Sequence, residues 1–300
     1  MNDLKKWLTA FRLRTLPLSV AGIIVASCLA EYNGVFNVWT FILAILTTIA
    51  FQILSNLAND YGDGIKGTDN ETRIGPERAI QSGKITASEM IHAIRICILI
   101  CIGLSFSLIL VSFGTSKFLF SLLFFGLALL CIYAAINYTV GSKPYGYKGL
   151  GDLFVFVFFG LISVIGCYIL YAKTINHVVY LPAITIGLLS TAVLNLNNMR
   201  DIETDKQSGK NTLAVFLGLN KAKQYHFFLV SAAIIVSFVF GMLYYTSPFN
   251  LIYFVVYIPL VFHLKRIHKI TTLKEFDPEL KIIALSTFAL AVLLGIGHLL

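Results

Sequence analysis

Apolar runs of about 20 residues recur along the whole of this chain, and that is the length an α-helix needs to cross the hydrocarbon core of a bilayer. In hydrocarbon each backbone N–H and C=O has to be satisfied within the structure that spans it, so the chain is expected to be an all-α, polytopic membrane bundle. Nine transmembrane helices are expected, at 15–31, 37–60, 88–112, 117–138, 151–172, 177–198, 222–246, 248–264 and 282–299. Hydrophobic residues make up 57 % of the 300 and charged ones 13 %, which excludes a soluble α/β domain with short apolar segments between charged helices. No linker, charge block or low-complexity stretch divides the sequence, so residues 1–300 are expected to form a single transmembrane domain.

The net charge of +8 could suggest nucleic acid, but its placement argues for topology instead. Twenty of the 23 basic residues precede the first span or follow the second, fourth, sixth and eighth; Lys117, Lys173 and Arg95 are the exceptions. By the positive-inside rule the N-terminus and the loops after the even-numbered spans are cytoplasmic, and an odd number of spans puts the C-terminus on the opposite side. A bacterial inner (plasma) membrane is the expected location. Val25-Ala26-Ser27-Cys28 resembles a lipoprotein cleavage signal, a reading that eight further apolar spans argue against. Cys28, Cys97, Cys101, Cys131 and Cys167 all fall in expected spans; without a histidine or third thiol in register they read as packing residues.

Acids are scarce, with 15 Asp and Glu in the chain, yet two clusters of similar pattern stand at helix ends. Asn56, Asp60 and Asp63 follow one another at spacings of four and three residues, and Asn197, Asp201 and Asp205 at four and four, so each trio projects from one helix face. Carboxylates this close repel unless a cation lies between them, and a helix C-terminus adds its own negative pole. The bland alternative pairs these acids with Lys66, Arg200 or Lys206 as salt bridges at the membrane surface. Two clusters with the same Asn-xxx-Asp pattern, after the second and sixth spans, favour a metal site, and two carboxylate-held Mg²⁺ ions call for phosphate oxygens. The equivalence suggests two four-helix pseudo-repeats plus one helix, around a central cavity open to the cytoplasmic side. The loops suit an anion. Gly62 to Asp69 and Gly75 to Gly83 are glycine-rich and carry Lys66, Arg73 and Arg78, and the loop after the fourth span carries Lys143 and Lys148.

With those residues in place, the chain resembles the intramembrane aromatic prenyltransferases of the UbiA superfamily, most closely the 1,4-dihydroxy-2-naphthoate polyprenyltransferases of menaquinone synthesis. The motifs that carry the resemblance are NDYGDGIKGTD at 59–69, GPERAIQSG at 75–83, YTVGSKPYGYKGLGD at 138–152 and NNMRDIETDKQSGKNTLAV at 197–215. The resemblance implies a Mg²⁺-dependent enzyme that joins the prenyl group of a polyprenyl diphosphate to 1,4-dihydroxy-2-naphthoate, with loss of diphosphate and CO₂, giving demethylmenaquinone. It places metal ligation on Asn56, Asp60, Asp63, Asn197, Asp201 and Asp205, of which Asp60, Asp63, Asp201 and Asp205 are catalytic, and diphosphate binding on Lys66, Arg78, Lys143, Lys148 and Arg200. Arg12, Arg14, Asp69 and Asp152 are expected around the aromatic acceptor. The chain departs from the superfamily pattern where Gly67 replaces a third aspartate, and where Ser142 stands four residues after Tyr138 with Lys143 next.

Other classes are weighed on the same residues. A membrane cation transporter also needs intramembrane acids, but near the bilayer midplane, whereas these lie at helix ends beside phosphate-friendly loops. A CDP-alcohol phosphotransferase carries a composite aspartate motif that is absent here. A scaffold or quinone-binding protein accounts for the hydrophobicity and not for the paired acids. Within the prenyltransferases, spacing alone does not separate naphthoate from 4-hydroxybenzoate, homogentisate or haem B.

Overall fold

The computed structural model describes residues 3–69 and 74–300 and, among them, contains nine helical stretches long and apolar enough to span a membrane. Spans one to nine are Lys5–Tyr32, Val38–Ile65, Ala87–Phe113, Phe118–Asn137, Gly151–Ala172, His177–Arg200, Leu219–Leu243, Pro248–Lys269 and Leu273–Gly297. Local chemistry sets their starts. Asn37 caps span two by accepting from the Thr40 amide at 3.0 Å, and Thr86 with Glu89 forms a reciprocal capping box at the start of span three. Arg73, expected among the basic loop groups, lies outside the described residues.

Four boundaries differ by five residues or more: spans two and eight continue as helix five residues past expectation, to Ile65 and Lys269, and two starts come early for a shared reason. Span one begins ten residues earlier than expected and span nine nine residues earlier, because each starts with charged helical turns that hydropathy alone reads as loop. Span one is also broken. Its first helix ends at Ala10, Arg12 takes left-handed dihedrals (φ 51°, ψ 56°), and a short 3₁₀ turn leads into Leu16–Tyr32. Such a conformation costs a non-glycine residue roughly 1–2 kcal/mol, and Asn56 on span two holds it by donating to the Phe11 carbonyl (3.0 Å) and to Thr15 Oγ1 (3.3 Å).

Span six is the buried axis of the C-terminal half, with Leu189, Ala192 and Leu196 wholly inaccessible; it packs against spans five, seven and nine. Span nine also lies along span one, so it closes the bundle and is no mere appendage. Where spans five and six cross, backbone meets backbone: a Cβ built on Gly160 would lie 2.6 Å from the Gly187 Cα. Small residues at such a crossing permit the close approach that replaces the hydrophobic effect inside a membrane. Next to it, Phe156–Gly166 of span five is π-helical, a wider coil that often marks functional regions. Its Phe158, Phe159 and Ile162 face a cavity of about 350 Å³ between spans one to five. Outward, Leu99, Phe118, Leu119 and Leu123 are exposed, as a lipid-facing surface requires.

Gly160→Val should lower the unfolding temperature of the detergent-purified protein, because forcing a branched side chain into this crossing costs about 1–3 kcal/mol. Gly126, which has nothing within 4 Å of an added Cβ, is the matched control: Gly126→Ala should leave that temperature unchanged or raise it slightly.

Candidate active site

The ends of spans two and six meet through the loops beyond them. Span two ends in the first acidic cluster, and Gly62 within it lets the 138–150 loop lie against the helix, since a Cβ there would sit 2.5 Å from Thr139 Oγ1. Thr139 Oγ1 in turn donates to the Ala58 carbonyl at 3.0 Å, and Lys66 Nζ donates to the Thr139 carbonyl at 2.6 Å. This close fit delivers Tyr147, whose hydroxyl donates to Asp63 Oδ1 at 2.8 Å and accepts from Thr68 Oγ1 at 2.6 Å. The Tyr147 carbonyl accepts from the Asn211 amide at 3.2 Å, which ties the same loop to the segment after span six.

One residue earlier stands the group that joins the two clusters. Lys210 Nζ lies 3.3 Å from Asp63 Oδ2 and 3.7 Å from Asp205 Oδ1, so a single ammonium spans the gap between the first acidic cluster and the second. The Tyr147 ring lies beneath it, 5.5 Å from centroid to Nζ, with Lys66 Nζ over the same ring at 4.7 Å. Burial alone would push the Lys210 ammonium toward neutrality, but the carboxylates of Asp63 and Asp205 outweigh it and raise its pKa above the ordinary lysine value. Burial, reinforced by the Asp63 charge, pushes the Tyr147 phenol up. Tyr138, buried beside the same charges, is pushed up to about 12 chiefly by burial. Burial pulls the Lys66 ammonium down against the attraction of Asp63. The Lys210 ammonium and the Tyr138 and Tyr147 phenols therefore keep their protons at neutral pH.

The remaining expected residues divide by what they hold. Asp60 is buried and accepts from the amides of Ala79 (3.1 Å) and Ile80 (3.3 Å), fixing the second glycine-rich loop over the helix end. Arg78 in that loop lies 3.6 Å from Asp69 and within electrostatic reach of Asp63, so Asp69, Arg78 and Asp63 belong to one group. Asn56 is committed to the break in span one, beside Arg12. Arg200 is wholly buried: it donates to both oxygens of Asp201 at 2.8 and 2.7 Å, to Asn197 Oδ1 at 2.8 Å and to Asp277 of span nine at 2.6 Å. Its guanidinium thus ties spans six and nine together, and the salt-bridge pairing weighed for this cluster is present for Asp201. Lys143, Lys148 and Arg14 are exposed. Asp152 is buried, with Oδ1 lacking a hydrogen-bond partner, but it does not line the cavity. Its neighbour Gly151 does; the Asp152 carbonyl accepts from Thr191 Oγ1 at 3.4 Å, and the Asp152 carboxylate lies within electrostatic reach of Tyr225.

Whether this donor set suits a metal follows from its chemistry. Among the described residues no three His, Cys, Asp or Glu side chains converge on one point, so there is no ready all-protein cage. Mg²⁺ needs none, since it is commonly held by one or two carboxylates together with phosphate and water oxygens. Asp63 and Asp205 already gather around a positive charge, and an oxygen engaged by one donor keeps a second lone pair. The residues fit a hard divalent cation shared with an anionic ligand. Tyr138, within the field of Asp63, Asp205 and Lys210, also lines the cavity, so the charged site opens directly into an apolar chamber.

Such a site, an acid-and-ammonium cluster at the ends of membrane helices above an apolar cavity, defines an integral membrane enzyme. The chain belongs to the UbiA prenyltransferase family, whose description matches residues 19–296, and it is a prenyltransferase. It is 48 % identical over 234 residues to the 1,4-dihydroxy-2-naphthoate octaprenyltransferase of Haemophilus influenzae, covering 77 % of this chain and 75 % of that protein. The Escherichia coli protein of the same name is 47 % identical over 238 residues, covering 79 % and 76 %. In fold, it matches a UbiA homolog from Aeropyrum pernix K1 with a TM-score of 0.69 at 14 % identity, over 96 % of this chain and 98 % of the other. It also matches a UbiA homolog from Archaeoglobus fulgidus bound to GPP and Mg²⁺, with a TM-score of 0.62 at 13 % identity over 95 % and 99 %.

Lys210→Met leaves two buried carboxylates facing each other without their shared cation, a defect of about 3–5 kcal/mol for a buried pair. The variant's unfolding temperature should drop in the presence of a chelator and recover on addition of Mg²⁺. Because the folded pKa of Lys210 is raised, its contribution to wild-type stability should be fully present below about pH 10 and lost only as pH rises through the elevated value. Thermal unfolding scanned from pH 7 to pH 10 should show no loss traceable to this residue.

Proposed function

We propose that this enzyme transfers a polyprenyl group from polyprenyl diphosphate to 1,4-dihydroxy-2-naphthoate, releasing diphosphate and CO₂. The observation that carries the reading is the Lys210 ammonium bridging Asp63 and Asp205 at the entrance to an apolar, aromatic-walled cavity. The relatives at 47–48 % identity, named for this acceptor and an octaprenyl donor, support the choice of substrates. An Archaeoglobus homolog bound to GPP and Mg²⁺ supports a diphosphate held with magnesium.

Asp63 and Asp205, with Asp60, Asp201 and Asn197 adding oxygens that keep a free lone pair, would hold two Mg²⁺ ions, while Asn56 braces span one. Bound magnesium supplies Lewis-acid neutralisation of the departing diphosphate. Lys66, Arg78 and Lys210 add positive charge at the same place, which favours cleavage of the allylic C–O bond as charge develops on the leaving oxygen. Phe154, Phe158 and Tyr145 line the cavity; Tyr145 and Phe154 stack with centroids 4.0 Å apart. Their ring faces can stabilise an allylic cation while the apolar wall excludes water. The naphthoate carbon bearing the carboxylate then forms the new C–C bond, and the electron pair released as CO₂ departs restores the aromatic ring. That route gives the prenylated hydroquinone and consumes no protein base, in keeping with Asp152 lying off the cavity. The distribution of basic residues over the loops supports a site on the cytoplasmic face of a bacterial inner membrane, with the C-terminus opposite.

Detergent-purified protein supplied with Mg²⁺, a series of polyprenyl diphosphates and, separately, 1,4-dihydroxy-2-naphthoate, 4-hydroxybenzoate and homogentisate should yield a prenylated product by mass only with the first, along with one CO₂ per product. Asp63→Asn and Asp205→Asn should each lower turnover at least about 100-fold while the protein still inserts and purifies as a folded species. Full turnover in both variants would rule out the shared-carboxylate reading, and prenylation of 4-hydroxybenzoate or homogentisate in place of the naphthoate would reassign the acceptor.

A further inference from the structure

The cavity has two unlike walls. One is aromatic and aliphatic, with Tyr145, Phe154, Phe158 and Phe159 on it; the other is span two, which contributes Thr47, Thr48, Gln52, Ser55 and Asn59. Residues 48, 52, 55 and 59 follow at spacings of four, three and four, a single stripe along the helix that leads to Asp60. Part of its hydrogen-bonding capacity is used inside the protein: Gln52 Nε2 donates to Asn56 Oδ1 at 3.2 Å, and Asn59 Oδ1 accepts from Thr139 at 3.3 Å. The rest is not. Among the described residues the hydroxyls of Thr48 and Ser55 and the Gln52 Oε1 meet no partner, and Thr47, 6 % exposed, has an unpartnered Oγ1 as well.

A hydroxyl in a membrane helix ordinarily bonds back to the carbonyl four residues earlier, as Thr185 and Thr191 do in span six. The stripe forgoes that bond. An isoprenoid tail offers it nothing in return, since a hydrocarbon pressed against these groups leaves each one unsatisfied. The second substrate does have oxygens to offer. We propose that the Thr48–Gln52–Ser55 stripe of span two is the recognition surface for the oxygenated aromatic acceptor, with the donor's hydrocarbon chain taking the opposite wall. This assignment rests on the prenyl-transfer reading above and adds to it the residues that select the second substrate.

The geometry and the charge of the stripe limit what it reads. Ser55 and Gln52 lie five and eight residues before Asp60, about 7 and 12 Å along the helix axis, so a bicyclic ring bound there has one edge beside the departing diphosphate. The stripe carries no charge. It therefore suits ring hydroxyl oxygens that both donate and accept, and leaves an acceptor carboxylate to the basic groups at the entrance.

The test uses the full-length protein in detergent, with geranyl diphosphate as donor and 1,4-dihydroxy-2-naphthoate as acceptor. Ser55→Ala and Thr48→Val should each raise the acceptor KM about 2- to 12-fold, the equivalent of one hydrogen bond, with kcat and donor KM close to wild type. Ser55→Thr and Thr48→Ser, which keep the hydroxyl, should restore the acceptor KM. Calorimetric binding of geranyl diphosphate with Mg²⁺ and no acceptor should be the same in all four variants. An acceptor KM unchanged in the Ser55→Ala, Thr48→Val double variant overturns the proposal, as does a parallel loss of donor binding, which would make the stripe part of the donor site. Absence of turnover by the wild-type protein with any aromatic acceptor would instead remove the prenyl-transfer reading, and this assignment with it.

Discussion

Two carboxylates that would repel each other are held face to face by the Lys210 ammonium, and the arrangement of the active end of the bundle depends on that contact. Asp63 ends span two and Asp205 follows span six, so Lys210 closes a loop between the two halves of the chain. Tyr147 adds a neutral hydroxyl to Asp63 and an aromatic face to the ammonium. A buried charge cluster is stable only when every member is paired. Here the pairing is reached by three loops arriving together, and Gly62 is the residue that lets them come close enough.

The same end of the molecule separates two tasks that spacing alone assigns jointly to the acidic clusters. Asp60 and Asp201 spend hydrogen bonds on scaffolding, Asp60 on the amides of Ala79 and Ile80 and Asp201 on the Arg200 guanidinium that reaches Asp277. Asp63 and Asp205 face the gap between the halves. Alternate acids along each helix end thus brace the structure and present charge, and a carboxylate can serve both ends because each oxygen has two lone pairs.

Much of the fold is legible in the sequence because hydrophobic length is a one-dimensional signal: all nine spans fall where apolar runs predict them. The larger errors lie where a span begins with charge, as at Lys5–Ala10 and at Leu273–Lys281, and smaller ones where a helix runs on into polar turns, as at Tyr61–Ile65 and Lys265–Lys269, all turns that hydropathy reads as loop. The acidic clusters are legible for a similar reason, since spacings of three and four residues report a helix face directly. Lys210 and Tyr147 are not. Their positions count only because loops 147 and 84 residues away in sequence from Asp63 fold back onto it, and no local period records such an encounter; the only trace is that both stand inside the motif strings at 138–152 and 197–215 that carry the family resemblance. Arg200 shows the converse, a cation at a helix end that looks available to an anion and is consumed by its own neighbours.

The contact between Gly160 and Gly187 has a bearing on how donors of different size could be housed. With backbone against backbone at these two glycines and the Phe156 ring packed on Gly187, spans five and six act as one rigid plate, and the aromatic wall carried by that plate cannot retreat. Room for additional isoprene units has to be made at the opposite edge, where Ala44, Leu108, Phe124 and Ala128 close the inner end of the chamber; relatives that handle longer or shorter tails should differ from this chain there, and keep the two glycines.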